Sequence, residues 1–334
     1  MNACVAELPP VKYTTSRLEI APDFEQPVCA GSIALLDGHV ARVERLLELP
    51  LSGERIRVYW LTGNVEQYCA IEHVSGCAHG RTVYSDWTSL HHELVHAVAW
   101  SMGSTDRMLA EGVAVAFDGS DHGFGVWRPD VLLGGNVWDD LDYATAGRFV
   151  RFLYEKHGIE PLAITYRSLD RNESHAAVER AFELAYGRTF AGLEREYYDE
   201  APAVYPGIGY CDHPMLDWHG DVWRHTISLA CDGAATRGPV FDAGTLFMYT
   251  VVTLELARGG VYELDVEGVE FVDMSPCLRE PADVISSTGL TASNSQIGMG
   301  SLGPGTYRVV LWTTYDPAMP TEARVELRPK LSDV

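Results

Sequence analysis

Leu90-His91-His92-Glu93-Leu94-Val95-His96-Ala97-Val98 is the stretch on which the reading of this chain turns. Its apolar residues Leu90, Leu94, Val95 and Val98 recur at three- and four-residue spacing. That predicts a helix with one buried side, from about Thr88 to Met102, stopped by Gly103. Ser85, Asp86 and Thr88 are its candidate caps. Four residues along a helix turn a side chain through roughly 400°, which leaves His92 and His96 about 40° apart on one face. Two imidazoles so placed can reach one metal ion, with Zn–N bonds of about 2.0–2.1 Å. Glu93 stands beside them, where a general base for a water at the metal belongs rather than a ligand. His91 points away from the pair.

Working outward, Ser104 or Thr105 is expected to cap a second helix, about Asp106 to Phe117. It carries Glu111, 15 residues after His96. Two helices joined through a tight turn at Gly103 can pack antiparallel and aim Glu111 at the histidine pair. A carboxylate on so apolar a helix needs a partner, and a zinc ion supplies one. Asp118 falls seven residues after Glu111 on the same face, so it can orient a ligand histidine from behind.

The stretch Met108-Leu109-Ala110-Glu111-Gly112-Val113-Ala114-Val115-Ala116-Phe117 resembles the glutamate-bearing helix of the gluzincin metallopeptidases. In that helix an apolar residue precedes Glu-Gly, a small residue and an aromatic. A metzincin would need Gly at 99 and His or Asp at 102, where this chain has Ala99 and Met102. Tyr143 to Leu153 with His157-Gly158, and Ala181 to Gly187 with Phe190 and Leu193, are similar to later segments of bacterial gluzincin-like peptidases. The resemblance covers about residues 30–200. It implies a zincin-like fold, Zn2+ held by His92, His96 and Glu111, and Glu93 as general base. It also implies a Tyr or His that steadies the oxyanion, for which Tyr143 and His122 are the candidates. The His96-to-Glu111 spacing is shorter than in thermolysin or the aminopeptidase N family. No Gly-Ala-Met-Glu-Asn signature precedes the helix, so aminopeptidase activity is not implied.

The rest of the chain is read by periodicity. Ala30–Leu49 is an expected amphipathic helix ended by Pro50, and Arg55–Leu61 and Thr82–Ser85 are expected strands. Helical patterns return at Tyr143–His157, Ala176–Tyr186 and Phe190–Tyr198. Asp118–Asp142 is aperiodic and glycine-rich, and its DGSDHG lacks the remaining ligands of a calcium loop. Ala201–Tyr210 reads as a linker. Beyond Cys211, Val222–Leu229, Leu246–Leu256, Val261–Val266, Thr306–Trp312 and Ala323–Arg328 alternate between Gly and Pro turns, as in an antiparallel β-sandwich. The expected fold class is therefore α+β. A mainly helical metallopeptidase domain over 1–200 is followed by a linker (201–210) and an all-β sandwich over 211–334. The sandwich resembles the accessory domains of secreted bacterial peptidases. Trp218, Trp223 and Trp312 could form a carbohydrate or peptide platform there, but core packing is the safer reading.

Composition narrows the partners. With 25 basic against 47 acidic residues the net charge is -22, which repels nucleic acid and anionic lipid. No run approaches the ~18 apolar residues of a membrane span. Seven cysteines without a C-x-x-C pair point to disulfides and an extracytoplasmic location. Six cysteines allow 15 pairings; Cys69–Cys77 and Cys211–Cys231 are the pairs preferred for proximity. Cys4 after a small residue is a candidate lipid-anchor site. The expected activity is zinc-dependent hydrolysis of a peptide or protein substrate by a monomer. The alternative is a zinc-containing surface or binding protein without turnover, whose sandwich carries the function. Glu93 argues for the enzyme, because a structural zinc site needs no base and normally has four protein ligands.

Overall fold

A computed structural model describes residues 8–49, 53–69, 74–119, 122–123, 129, 142–171, 173–202, 204–242, 244–277, 289–293 and 296–330. Cys4 and most of the glycine-rich stretch 118–142 lie outside the described residues. The fold is mixed α and β, in two compact units: residues 1–25 with 36–208, and residues 26–35 with 209–334.

In the first unit the elements run β1 (Tyr13–Thr14), β2 (Leu18–Pro22), α1 (Ala30–Leu46, whose first residues count with the second unit), β3 (Ile56–Trp60), α2 (Glu66–Cys69), β4 (Gly76–His79), β5 (Thr82–Ser85) and α3 (Leu90–Ala99). After a 3-10 turn at Trp100–Met102 come α4 (Arg107–Phe117), β6 (His122–Gly123), α5 (Tyr143–His157), α6 (Ile159–Arg167), α7 (His175–Tyr186), α8 (Phe190–Glu200) and β7 (Val204–Tyr205). Five strands form one sheet in the order β1-β2-β3-β5-β4. The three central strands are parallel, and the edge strands β1 and β4 run antiparallel to their neighbours. Helices still carry most of the regular structure of this unit, and the sheet is larger than the two expected strands. Strands β1, β2 and β4 were not expected: β1 has only two residues, and Ala21 interrupts the apolar–polar alternation of β2. The sequence Gly76-Cys77-Ala78-His79 also has low strand propensity. Helix α6 was missed as well. Its Pro161 falls in the first turn, where the absent N–H had no helical partner to lose. The segment read as a linker contains β7, which pairs with β6.

The core of this unit explains why α3 stands where it does. Leu90, Leu94, Val95 and Val98 are buried, as are Val58 and Trp60 of β3 and Val83 of β5. The opposite face of α3 is left for its polar residues. Helices α4 and α5 touch through glycines. A Cβ on Gly112 would stand 2.6 Å from Val150 Cγ2 and 2.9 Å from the Ala146 carbonyl oxygen, and one on Gly147 would stand 2.1 Å from Val115 Cγ1. The Glu111-Gly112 pair thus combines a site residue with the close approach that holds its helix. Gly112→Ala is expected to lower stability by about 1–3 kcal/mol, because the overpacking outweighs the better helix propensity of alanine. A thermal melt of the variant checks this, and an unchanged midpoint would contradict the packing argument.

The second unit contains β8 (Trp223–Leu229), β9 (Arg237–Asp242), β10 (Thr245–Leu256), β11 (Gly260–Glu267), β12 (Phe271–Pro276), β13 (Leu290–Ser293), β14 (Gly298–Leu302), β15 (Gly305–Thr314) and β16 (Thr321–Pro329). They form two antiparallel sheets, β13-β12-β15-β10-β9 and β14-β11-β16-β8. Alternate residues of both sheets share one core: Met248, Leu254 and Val309 from the first meet Leu264, Val325 and Trp223 from the second. This is the β-sandwich arrangement. Its tryptophans do not form one platform. Trp223 is fully buried in the core, and Trp218 packs against the core with its Nε1 donating to the Glu255 carbonyl. Trp312 stacks between Tyr249 and Phe271.

Three disulfides join described cysteines: Cys69–Cys77, Cys29–Cys231 and Cys211–Cys277. The expected Cys211–Cys231 pair is thus corrected. Within the second unit, residues 29–31 lie along the turn after β8. There the Cys29 amide donates to the Gly238 carbonyl (2.9 Å) and the Ala30 amide to the Cys231 carbonyl (2.8 Å). That pairing presents Cys29 to Cys231, while Cys211 meets Cys277 at the end of β12. No helix among the described residues is long and apolar enough to cross a membrane.

Candidate metal centre

His92, Glu93 and His96 share α3, and Glu111 lies near the middle of α4. Local capping sets each element. Asp86 Oδ1 accepts the Thr88 and Ser89 amides ahead of α3, and the side chain of Asp106 accepts the Met108 amide at the start of α4. Asp142 caps α5 through the Ala144 and Thr145 amides, which fixes Tyr143 as the first residue of that helix.

Three donor atoms converge. His92 Nε2 and Glu111 Oε2 are 3.2 Å apart, His96 Nε2 and Glu111 Oε2 3.1 Å, and the two Nε2 atoms 3.2 Å. Hydrogen bonds account poorly for such a triangle, since an N–H points along one line and cannot serve two edges. A single ion accounts for it directly. Four ligands at about 2.0–2.1 Å in a tetrahedron stand about 3.3 Å from one another. Two imidazoles and one carboxylate are a donor set that zinc accepts, and these three residues could hold a metal ion.

The three donors also act on one another's charge. Burial disfavours a charged His92, but the carboxylates of Asp118 and Glu111 outweigh it and push its pKa up to about 10. Burial likewise opposes a charged Glu111, yet the two imidazoles hold its carboxyl far below the usual range. Asp118 Oδ2 lies 3.8 Å from His92 Nδ1, the ring nitrogen turned away from the triangle, which is where a residue orienting a ligand should be. His39 of α1 sits close by, its Nε2 donating to the His91 carbonyl at 3.1 Å. Burial, with His91 adding to it, pushes His39 down to about 3 and keeps it neutral.

Glu93 is buried, and desolvation raises its pKa against the opposing pull of His96 and His92. It faces β4. A Cβ on Gly76 would lie 2.6 Å from Glu93 Cγ and 2.9 Å from its Oε1. The strand can therefore lie against the carboxylate only because residue 76 is glycine. A cleft of about 1440 Å³ opens over these residues, lined by β4, the polar face of α3, α4, Tyr143 and Tyr166. The Tyr143 ring centroid is 6.2 Å from that of His92, so this candidate is brought to the site. The backbone of His122 pairs with Tyr205 in β6, but its side chain lies outside the described residues. Tyr166 was missed by sequence reasoning. It is buried in the cleft wall, and burial first and Glu111 second raise its hydroxyl's pKa. Nothing local marks it, because it belongs to the helix hidden by Pro161. Arg107, Arg171 and Gly76 also line the cleft without any motif to announce them.

No protein-family model matches the chain, and no curated protein sequence matches it significantly. Among solved structures, the chain is similar to the pre-peptidase C-terminal domain of collagenase from Bacillus anthracis. The two are 14% identical, the match covers 32% of this chain and 86% of that one, and the TM-score is 0.19.

Proposed function

We propose that this chain is a zinc-dependent peptidase of the gluzincin type, with a zincin-like first unit, acting outside the cytoplasm. The observation that carries the reading is the convergence of His92, His96 and Glu111 beside a buried Glu93 on the floor of a cleft. Zinc held by the three donors would supply Lewis acidity, polarising the scissile carbonyl and making water a better nucleophile at neutral pH. Glu93 takes the proton of the attacking water and hands it to the leaving amine. Its raised pKa suits the first step, since a more basic carboxylate accepts the proton more readily. Asp118 and the buried surroundings of α3 hold the His92 ring in place. Tyr143 donates its hydroxyl to the carbonyl oxygen as that oxygen gains charge. Three disulfides favour an oxidising compartment.

The test is zinc content together with chelator-sensitive cleavage of unfolded protein and quenched-peptide libraries. A protein fully loaded with zinc that cleaves nothing would favour the binding-protein alternative. Gly76→Ala probes the position of the base. Its new Cβ must push either β4 or Glu93 aside, and displacements of ~1 Å at a reacting group can cost about 100-fold in rate. Turnover is expected to fall by about 10- to 100-fold with zinc content retained. Full activity in this variant would mean that the carboxylate works from another position.

A further inference from the structure

The cleft has two unlike walls. One is β4, which offers Gly76, Ala78 and backbone. The other comes from two turns clasped by a hydrogen bond, in which Ser104 Oγ donates to Asp170 Oδ1 at 3.1 Å. The first turn leads into α4 and the second follows α6. Two cations line the cleft near this clasp in sequence: Arg107, the first residue of α4 and three residues after Ser104, and Arg171, which follows Asp170. Arg107 precedes Glu111 by four residues, so the two project from nearly the same face, one turn apart. It is buried, and its positive charge lies near the Tyr143 hydroxyl, whose pKa burial raises and Arg107 pulls back. Tyr166 lines the same cleft, and its buried hydroxyl feels the charges of both Glu111 and Arg171.

Outside the metal centre, the charged side chains of this lining are basic, whereas the chain as a whole is acidic. Among the described residues, the acidic groups that line the cleft are Glu93, Glu111 and Asp118, and each already serves the metal centre. Beside them the lining carries two cations, Arg107 and Arg171, in a chain of net charge -22. His79, on the β4 wall, is engaged with the Tyr68 carbonyl at 3.3 Å. Asp170 is held by Ser104 and does not line the cleft. A planar guanidinium matches a carboxylate with two parallel hydrogen bonds, which an ammonium does not reproduce. The acidic surface elsewhere is screened over about 8 Å at physiological ionic strength, so inside the cleft the nearby arginines decide.

The geometry points to a carboxylate-reading subsite on the Arg107–Arg171 wall, so that the preferred substrates are peptides bearing a carboxylate close to the bond that is cut. This rests on the peptidase reading above. The carboxylate is that of an acidic side chain or of the peptide's own C-terminus, which present the same chemistry to the arginines.

The experiment measures binding rather than turnover, so it stands apart from the test of activity. Short peptide hydroxamates, which anchor on zinc, are titrated calorimetrically into the zinc-loaded full chain. Two matched pairs are used: Glu against Gln at one side-chain position, and free acid against amide at the C-terminus. The acidic member of at least one pair is expected to bind about tenfold more tightly at low salt, and that ratio should shrink as salt is added. The pair showing the preference identifies the source of the carboxylate. Arg171→Gln should bring the ratio to about two or below, and Arg171→Lys should restore only part of it. Equal affinity of acidic and amide probes for the wild type would overturn the proposal, as would a ratio that survives Arg171→Gln. If the ratio appears but no peptide library is cleaved, the subsite stands and the catalytic reading falls.

Discussion

Glu93→Gln is expected to lower turnover by about 10²–10⁴-fold, the usual worth of a positioned general base, while leaving zinc content unchanged. The amide nearly equals the carboxylate in size, so α3 and both histidines keep their places. Glu93 is not one of the converging donors, so metal occupancy has no reason to fall. What would disappear is the carboxylate proposed to accept a proton from the attacking water, since an amide nitrogen has no basic lone pair to offer. Wild type and variant are compared on the same peptide libraries, with and without chelator, and zinc is quantified in both preparations. Cleavage that persists in Glu93→Gln would assign the base elsewhere or reveal a contaminant. A loss of zinc alongside activity would show that Glu93 shapes the site rather than the proton transfer.

Glu111→Ala should act on the metal and not on the fold. Outer groups that merely orient a ligand are worth about 10–100-fold in metal affinity. Removing a ligand from a three-donor set should therefore cost more than about 100-fold. Alanine is the strongest helix former, and a buried carboxylate is removed rather than created, so α4 should remain intact. The clearest readout is the thermal midpoint with and without zinc. A metal that binds the folded state alone raises the midpoint of the wild type by mass action, and that rise should vanish in Glu111→Ala. A variant that keeps full zinc occupancy under mild chelation would remove Glu111 from the ligand set.

The parts of this protein that sequence makes legible share one property: their geometry is local. His92, Glu93 and His96 span five residues, and the pitch of a helix alone puts the two imidazoles on one face. The apolar positions Leu90, Leu94 and Val98 state which side of that helix is buried, and all three are buried. Glu111 needs only a second helix and a turn between, and its oxygen is found 3.1–3.2 Å from both nitrogens. The alternation of Leu264 and Val266 against Leu327 and Val325 likewise declares a sheet with one inner face.

Other features were decided by tertiary structure, because the groups involved meet only after distant segments pack. Gly76-Cys77-Ala78-His79 has no strand propensity to read. It becomes an edge strand by pairing with β5 and by the Cys69–Cys77 bridge, and only then does a missing Cβ at Gly76 matter to Glu93. Arg107 and Arg171 are 64 positions apart and line one cleft, near a hydrogen bond between Ser104 and Asp170. Cys231 is near Cys211 in sequence, but backbone pairing near the start of α1 hands it Cys29, 202 residues away. A helical period fixes directions over a few residues without regard to the rest of the chain. Which strand edge, which arginine and which sulfur arrive opposite depends on how whole elements pack, and no local pattern encodes that.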